Sequence, residues 1–384
     1  MSEFLSIKTS IIHWACERVN VLYTELSSKK GLSSLKNEKN GIVKLTMRQL
    51  NKLASILRYP LVYFMLDEPV TDIDKLDIED FRTSKNQKIK PSINLCEQID
   101  YCKNQQAWFS DYAKINDFVP FKYINHFKLD DCPELSGKVV GDYLHITHSL
   151  CKDEGEFLKK IKNILEKNII LVISSKVLKH TNYRLNTTEF RGFALTDSYA
   201  PLIFINGNDS VRAQIFTICH ELGHICLGLS GVSDVSIHNT KNTETWCNDF
   251  AANILMPHDE IISDFEESLD LQDFIKTASK KYHVSNIALI IRIYKLHLID
   301  KEKFSIELDK AEHQYLDYSK NVEKKKSGGD YYNNVGSRLS NLLTKALIAS
   351  TAVGETTFRD ATYLLGLKSI SVFEQLSKKL NEGK

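Results

Sequence analysis

The chain has 384 residues, of which 42% are hydrophobic, so it is long enough for two or three domains with cores of their own. Its net charge of +1 excludes a global electrostatic attraction to nucleic acid. No run approaches the roughly twenty apolar residues of a membrane-spanning helix, and the amino terminus lacks a signal-peptide pattern, so we expect a cytoplasmic protein that does not bind a membrane. The eight cysteines form no CxxC pair, which is typical of buried hydrophobic side chains rather than of disulfides or a structural zinc site.

The first 60 residues are basic and have the spacing of helices. They contain ten Lys and Arg against four Glu, a net charge of +6, which leaves −5 (+1 minus +6) for the rest of the chain. We predict a helical amino-terminal domain over residues 1–70, whose charge is consistent with contacts to DNA phosphates. Its predicted helices lie at roughly 6–17, 21–29, 32–38 and 46–57.

The middle of the chain predicts an α+β architecture. Residues 67–95 contain an acidic and then a basic stretch with two prolines, which is typical of an extended connector. A helical pattern follows, so we place a connector with a helical segment over 71–135. Residues 168–173 (NIILVI) have the pattern of a buried strand. Over residues 136–260 we therefore predict a small sheet packed on helices.

The most informative motif lies within residues 211–230, an apolar run with helical spacing. His220-Glu221-Leu222-Gly223-His224 is an HExxH motif. Residues four apart share one face of a helix, so both imidazoles can reach one Zn²⁺. Glu221 can then accept a proton from a water that the metal activates. Two buried core histidines with a surface glutamate remain the alternative interpretation of these five residues.

A second helical pattern, at residues 243–252, offers a third metal ligand. Catalytic zinc usually takes three protein ligands and keeps one position for water. Glu244 and Asn248 are four residues apart and would share a face. Their spacing from the HExxH motif favours Glu244 as the ligand and Asn248 as a hydrogen-bond partner that orients a ligand. A surface helix on which both side chains are solvated is the alternative.

These motifs together carry a family resemblance. HELGH, ExxCN and FAANILMP, with residues 191–194 (RGFA) and 201–206 (PLIFIN), resemble the ImmA/IrrE family of metallopeptidases. The resemblance implies Zn²⁺ as the cofactor, Glu221 as the general base and three metal ligands: His220, His224 and Glu244. Cys247 stands where the family prefers Ala, which exchanges one small side chain for another.

The resemblance also implies how substrate is held. In zincins generally, a strand runs along the active-site cleft and pairs with extended substrate. Here that strand is expected at Ile203, Phe204, Ile205 and Asn206. The motifs do not identify the donor that stabilises the oxyanion; the candidates close in sequence are Tyr183, Tyr199 and His238.

The amino-terminal segment carries a second resemblance. Residues 45–66 and 80–83 (DFRT) resemble the Xre-type helix-turn-helix domain at the front of many ImmA/IrrE-type proteins. The front half departs from that pattern, because residues 37–41 (NEKNG) replace the W-E-x-G signature. A docking module without DNA contacts is therefore the alternative. The resemblance implies DNA contacts from the presumed recognition segment, at Ser34, Lys36, Asn37 and Lys39.

Residues 261–384 are predicted to form a helical carboxy-terminal region. The clearest helical patterns are 271–282 and 284–296. Residues 324–329 (KKKSGG) are typical of a flexible hinge. A helical unit follows from 332 to 380, and within it TTFRDATYLLGL resembles a tail that recurs in these fusion proteins.

The sequence thus predicts a zinc-dependent endopeptidase joined to an Xre-like helical domain. The resemblance implies a protein substrate, a repressor or antitoxin-like partner, in a stress, phage or toxin–antitoxin context. The alternative is a DNA-binding transcriptional regulator or toxin–antitoxin component whose zincin domain binds a partner without hydrolysis. A purely structural scaffold would leave the placement of Glu244 and Asn248 unexplained.

Overall fold

The computed structural model describes residues 4–18, 21–57, 59–68, 92–148, 151–178, 184–233, 242–266, 270–322 and 338–382. They form two compact units, the first with the described residues up to 97 and the second with those from 98 onward. Helices predominate and each unit has a small sheet, so the predicted α+β class is confirmed. The motif at 80–83 and the hinge at 324–329 lie outside the described residues. Within the described ranges, no helix is long and apolar enough to cross a membrane.

The first unit combines short helices with a two-stranded sheet. β1 (Phe4–Lys8) and β2 (Ile42–Thr46) pair antiparallel, with Phe4 opposite Thr46 and Lys8 opposite Ile42. Side chains on one face of this ribbon enter the core, where they join the apolar stripe of the last helix. The helices are α1 (Thr9–Arg18), α2 (Tyr23–Ser28) and α3 (Met47–Leu57), and 3₁₀ turns cover Ser33–Asn37 and Leu61–Met65.

This unit corrects the prediction of an all-helical amino-terminal domain. The helix expected at 6–17 begins only at Thr9, because the residues before it form β1. The recognition helix expected at 32–38 is a five-residue 3₁₀ turn. The helix expected at 46–57 is present. It starts with a capping box in which Gln49 N–H donates to Thr46 Oγ1 (3.3 Å) and Thr46 N–H donates to Gln49 Oε1 (2.9 Å).

The second unit is built on a four-stranded sheet with the order β3-β5-β4-β6. β3 and β5 are parallel, and the other neighbouring pairs are antiparallel. The predicted strand starts later than expected, because Asn168 ends the preceding helix and Ile169 has a positive φ of 64°. The strands are β3 (Leu171–Ser175), β4 (Gly192–Leu195), β5 (Leu202–Asn206) and β6 (Gly231–Ser233).

The remaining described helices pack on this sheet or on one another, and α4 begins within the residues assigned to the first unit. α6 packs on β3, α7 packs on β4 and β5, and α8 packs against both α5 and α7. The full set is α4 (Ile93–Ile115), α5 (Pro133–Leu144), α6 (Glu154–Lys167), α7 (Val211–Leu227), α8 (Asn242–Leu255), α9 (His258–Glu266), α10 (Leu271–Lys281), α11 (Asn286–Lys295), α12 (Lys301–Val322), α13 (Asn341–Ala352), α14 (Phe358–Leu364) and α15 (Ile370–Glu382).

The domain boundaries predicted after residues 135 and 260 fall inside the second unit. A polar network centred on the buried side chains of Arg292 and Asn253 joins the segments that these boundaries would separate. Arg292 of α11 donates to the Glu134 carboxylate (2.5 Å), to Asn253 Oδ1 (2.7 Å) and to the Met256 carbonyl (3.3 Å). Asn253 in turn donates to the Glu134 carbonyl (2.7 Å). The segments predicted as a connector, a catalytic domain and a carboxy-terminal region therefore share one hydrophobic core.

Hydrogen bonds at two places connect the carboxy-terminal helices to the rest of the second unit. The α6 carboxylate of Glu166 accepts from Asn341 N–H at the start of α13 (2.9 Å). The carbonyl of Leu364, at the end of α14, accepts from Tyr101 Oη (2.6 Å) and Gln105 Nε2 (2.7 Å) of α4. All three side chains are buried, so these contacts are shielded from water.

Glu166 makes the stability of this region depend on pH. Burial raises the pKa of Glu166 to about 7, although donors at residues 340–342 and the Lys162 ammonium oppose the shift. A carboxyl whose pKa is higher in the folded protein stabilises it below about pH 4.5 and loses that contribution as the pH rises through 7. We expect the free energy of unfolding of the wild type, relative to Glu166→Gln, to fall by up to about 3 kcal/mol between pH 4.5 and 7.

Urea unfolding of both proteins across this range measures the difference. The Lys162 ammonium, whose pKa burial lowers to about 8, titrates above this range. A difference between the two proteins that does not change with pH would contradict the expectation.

Candidate metal centre

α7 carries the HExxH motif and has well-defined ends. Ser210 caps its start, where its Oγ accepts from Ala213 N–H (3.2 Å). Gly228 ends it with a positive φ of 72°, a conformation that favours glycine. The helix is buried against the sheet and α8, and His220, Glu221 and His224 are all buried side chains. A 17-residue helix with fixed ends holds the two imidazoles at constant separation.

Three side chains from α7 and α8 converge on one point. The Nε2 atoms of His220 and His224 lie 3.2 Å apart. Glu244 of α8 places one carboxylate oxygen 3.2 Å from His220 Nε2 and the other 3.3 Å from His224 Nε2. Among the described residues, this is the group of His, Cys, Asp or Glu side chains whose spacing can hold a metal ion.

The spacing fits zinc. Zn²⁺ binds histidine nitrogen and carboxylate oxygen at about 2.0–2.1 Å in tetrahedral geometry, which places neighbouring ligand atoms about 3.3 Å apart. The separations of 3.2–3.3 Å among His220, His224 and Glu244 match that value. Two imidazoles and one carboxylate are also a donor set of catalytic zinc sites, in which the fourth position stays open.

The charge state of the carboxylate agrees with this role. Burial alone would raise the pKa of Glu244, but hydrogen bonds and charges from His220 and His224 outweigh it and hold the pKa well below its usual range. Burial likewise works to lower the pKa of His220, and its contacts with Glu244 overcome that and raise it. Glu244 is therefore ionised at neutral pH and ready to accept a cation.

Asn248 lies where it can orient one of the ligands. Its Oδ1 is 3.0 Å from His220 Nδ1, so the ring donates from Nδ1 and keeps the Nε2 lone pair for the metal. His224 Nδ1 has no hydrogen-bond partner within the described part of the chain. Orientation by a side-chain partner is thus seen for His220.

We expect Asn248→Ala to weaken zinc binding by about 10–100-fold, because the His220 ring loses the acceptor that fixes its tautomer and orientation. Competition with a chromophoric chelator would measure the dissociation constant. Thr245→Ala, at an exposed position of the same helix, serves as the control and should bind zinc as the wild type does. Equal affinities for all three proteins would show that Asn248 does not orient the ligand.

Glu221 faces the sheet rather than solvent. It is fully buried, and β4 passes directly over it at Gly192. A Cβ at residue 192 would lie 3.1 Å from Glu221 Oε1, 2.6 Å from Thr217 Cγ2 and 2.8 Å from the Phe204 carbonyl oxygen. Gly192 is therefore required for β4 to approach the carboxylate of Glu221. The sequence offered a signal for this residue, the glycine of the RGFA segment, but spacing alone could not reveal the contact.

Comparison with known protein families agrees with this geometry. Residues 166–294 match the IrrE N-terminal-like domain (Peptidase_M78). The matched range contains the sheet strands β3 to β6 and both ligand helices, and it ends within α11. It indicates a metallopeptidase of the ImmA/IrrE type in this part of the chain.

A second match covers residues 339–379, a domain of unknown function (DUF8813) that includes α13 and α14. Neither match covers the amino-terminal unit, so the Xre-like helix-turn-helix stays a prediction. No curated protein and no solved structure matches the chain.

The strand order of the second unit corrects the expected substrate strand. β5 is hydrogen-bonded on both sides, to β3 and to β4, and is buried along its whole length. An extended substrate therefore finds no free edge there. Asn206 also has a structural role: its Nδ2 donates to the Phe190 carbonyl (3.1 Å) and its Oδ1 accepts from Asn208 N–H (3.1 Å). The correction applies to Ile203, Phe204, Ile205 and Asn206.

The structure also places one of the three oxyanion candidates. Tyr199 lies in the turn between β4 and β5, beyond the Leu195–Leu202 pair. Glu221 contacts the opposite end of this hairpin, at Gly192. Tyr199 is therefore separated from the metal centre by the length of the strands. Tyr183 and His238 lie outside the described residues.

The four residues expected to contact DNA lie in the first unit, apart from any α-helix. Ser34, Lys36 and Asn37 belong to the 3₁₀ turn, and Lys39 pairs with Ile42 in an isolated bridge. Lys36, Asn37 and Lys39 are exposed, whereas Ser34 Oγ accepts from Gln49 Nε2 of α3 (2.8 Å). The segment is exposed and basic, but it does not have the helical form that a recognition helix needs.

Proposed function

We propose that this protein is a zinc-dependent endopeptidase that cleaves a regulatory protein. The observation that carries the proposal is the convergence of His220, His224 and Glu244 on one point, at zinc spacing, beside the buried carboxylate of Glu221. The peptidase family match over residues 166–294 supports the same reaction class.

In this mechanism each side chain has one task. His220, His224 and Glu244 hold the metal, and Asn248 keeps the His220 ring in the required tautomer. Bound Zn²⁺ would supply Lewis acidity, which polarises a peptide carbonyl and acidifies a water. Glu221 accepts the proton of the attacking water and delivers it to the leaving amine.

β6 is the edge along which extended substrate is proposed to bind. Within the described residues, β6 is an outer strand of the sheet and pairs only with β4. Its Ser233 lies opposite Gly192, which contacts Glu221. Because β6 is the direct neighbour of β4, and β3 at the other edge is two strands away from β4, β6 is the described sheet edge nearer to Glu221. Backbone pairing there would support a substrate without demanding a particular sequence.

The substrate class rests on the resemblance to the ImmA/IrrE family, which favours a repressor or antitoxin-like partner. Exposed loop tips and connecting segments of proteins are preferred sites of proteolytic cleavage. An extended segment of that type suits the β6 edge.

Zinc content tests the proposal first. Elemental analysis of protein purified without chelator should give close to one zinc per chain, and His220→Ala should lose it. His258→Ala, at an exposed histidine of α9, is the matched control and should retain zinc. Absence of zinc from the wild type, even after reconstitution, would rule out the enzyme and favour a DNA- or partner-binding protein.

A further inference from the structure

Helices α7 and α8, which carry the proposed metal ligands, pack closely where Gly223 meets Cys247. A Cβ at Gly223 of α7 would lie 3.2 Å from Cys247 Sγ, 3.3 Å from Cys247 Cα and 3.3 Å from Cys247 Cβ of α8. Carbon atoms in unstrained contact are about 3.5–4.0 Å apart. Any side chain at residue 223 would therefore have to displace Cys247, including its Cα, by a few tenths of an ångström.

This contact lies at the centre of the metal site along both helices. Gly223 is three residues after His220 and one before His224, and Cys247 is three after Glu244 and one before Asn248. At 1.5 Å of rise per residue, each of these groups is within about 4.5 Å of the crossing point along its helix axis. A change of helix separation at the crossing is transmitted to all of them.

We propose that Gly223 is a positioning residue for the metal centre, whose missing side chain sets the α7–α8 separation at which Glu244 meets the two histidines. The inference rests on the proposed function. A Cβ at Gly223 requires a displacement of a few tenths of an ångström, which is comparable to the roughly 0.2 Å within which metal–ligand distances of a well-formed site agree with their standard values.

α8 cannot simply move away from α7 as a rigid body, because it also meets α5 at backbone distance. A Cβ at Gly137 of α5 would lie 2.6 Å from the Phe250 carbonyl oxygen. Further along α5, a Cβ at Gly141 would lie 3.6 Å from Ile254 Cγ1, which is ordinary contact. α8 therefore packs closely against α7 on one side and α5 on the other. A side chain at Gly223 has to be accommodated by local shifts of atoms near the metal ligands.

A double-mutant cycle in the full chain tests this role. Gly223→Ala should weaken zinc binding by about 10–100-fold, as loss of a supporting group does, and should alter the visible absorption spectrum of the Co²⁺-substituted protein. Cys247→Gly removes Sγ and Cβ from the contact and leaves Cα, so the double variant should regain part of the lost affinity. In the presence of a chelator, the melting temperature of Gly223→Ala should stay close to that of the wild type, although its zinc affinity falls.

Gly141→Ala is the matched control, and wild-type zinc affinity is expected for it. If Gly223→Ala does not fold, Cys247→Val adds bulk to the same contact from α8 and should give the same loss. Wild-type affinity and Co²⁺ spectrum in Gly223→Ala, or no recovery in the double variant, would overturn the inference. In either case the wild type still binds zinc and the proposed function stands. A wild type that binds neither metal would overturn both.

Discussion

Glu221→Gln is expected to lower kcat/KM for peptide hydrolysis by about 10²–10⁴-fold while zinc content stays near one per chain. Glutamine has nearly the same shape as glutamate, so it fits the narrow space under Gly192. It cannot accept a proton from water, however, and it leaves the three metal ligands in place. Loss of turnover without loss of metal is the result that separates a general base from a ligand.

Cleavage of a peptide library, followed by mass spectrometry, would compare the wild type and Glu221→Gln on many sequences at once. Glu260→Gln, on α9 and partly exposed, is the control for removing a carboxylate elsewhere in the second unit. Undiminished cleavage by Glu221→Gln would refute the mechanism. Loss of zinc from this variant would instead show that Glu221 belongs to the coordination sphere.

Arg292→Met is expected to lower the free energy of unfolding by about 2–4 kcal/mol, because two buried acceptors lose their donor and the partly exposed carboxylate of Glu134 loses its cation. The guanidinium is almost fully buried and donates to Glu134, Asn253 and the Met256 carbonyl. Methionine fills similar space but leaves Glu134 without its cation and two buried acceptors without this donor. The substitution also weakens the junction of α5, α8 and α11.

Urea unfolding monitored by circular dichroism would measure the change, and Lys295→Met is the control. Lys295 lies on the same helix and pairs with Asp249 nearer the surface, where such pairs contribute less than about 1 kcal/mol. If both variants lost a similar free energy of unfolding, the burial of Arg292 would contribute little to stability. The network would then not be a main source of stability of the second unit.

Much of the candidate site is visible in the sequence because its signals are local. The helical spacing of residues 211–230 predicts the helix of His220 and His224, and positions four apart must share a face. Glu244 and Asn248 follow the same rule on the next helix. The spacing of Glu244 from the HExxH motif favoured it as the third ligand, and the family resemblance implied the same. No local pattern specifies how far apart the two helices pack.

The features that could not be predicted depend on residues distant in sequence. β5 looks like any apolar strand, and its two neighbours come from residues 171–175 and 192–195. β1 is five residues long and pairs with a strand more than thirty residues later. The sequence pattern therefore extended the predicted helix at 6–17 into the last residues of this strand. Arg292 was not singled out because arginines are rarely buried, and its partners lie on other helices.

The hydrogen bonds that hold α13 and α14 limit where the chain can be truncated for expression. A peptidase fragment ending after α12 would contain every proposed metal ligand. It would also uncover the Glu166 carboxylate and the Tyr101 and Gln105 donors, which the carboxy-terminal helices now cover. A fragment that keeps these buried groups covered is therefore longer than the proposed metal site, and expression trials should retain the chain through residue 382.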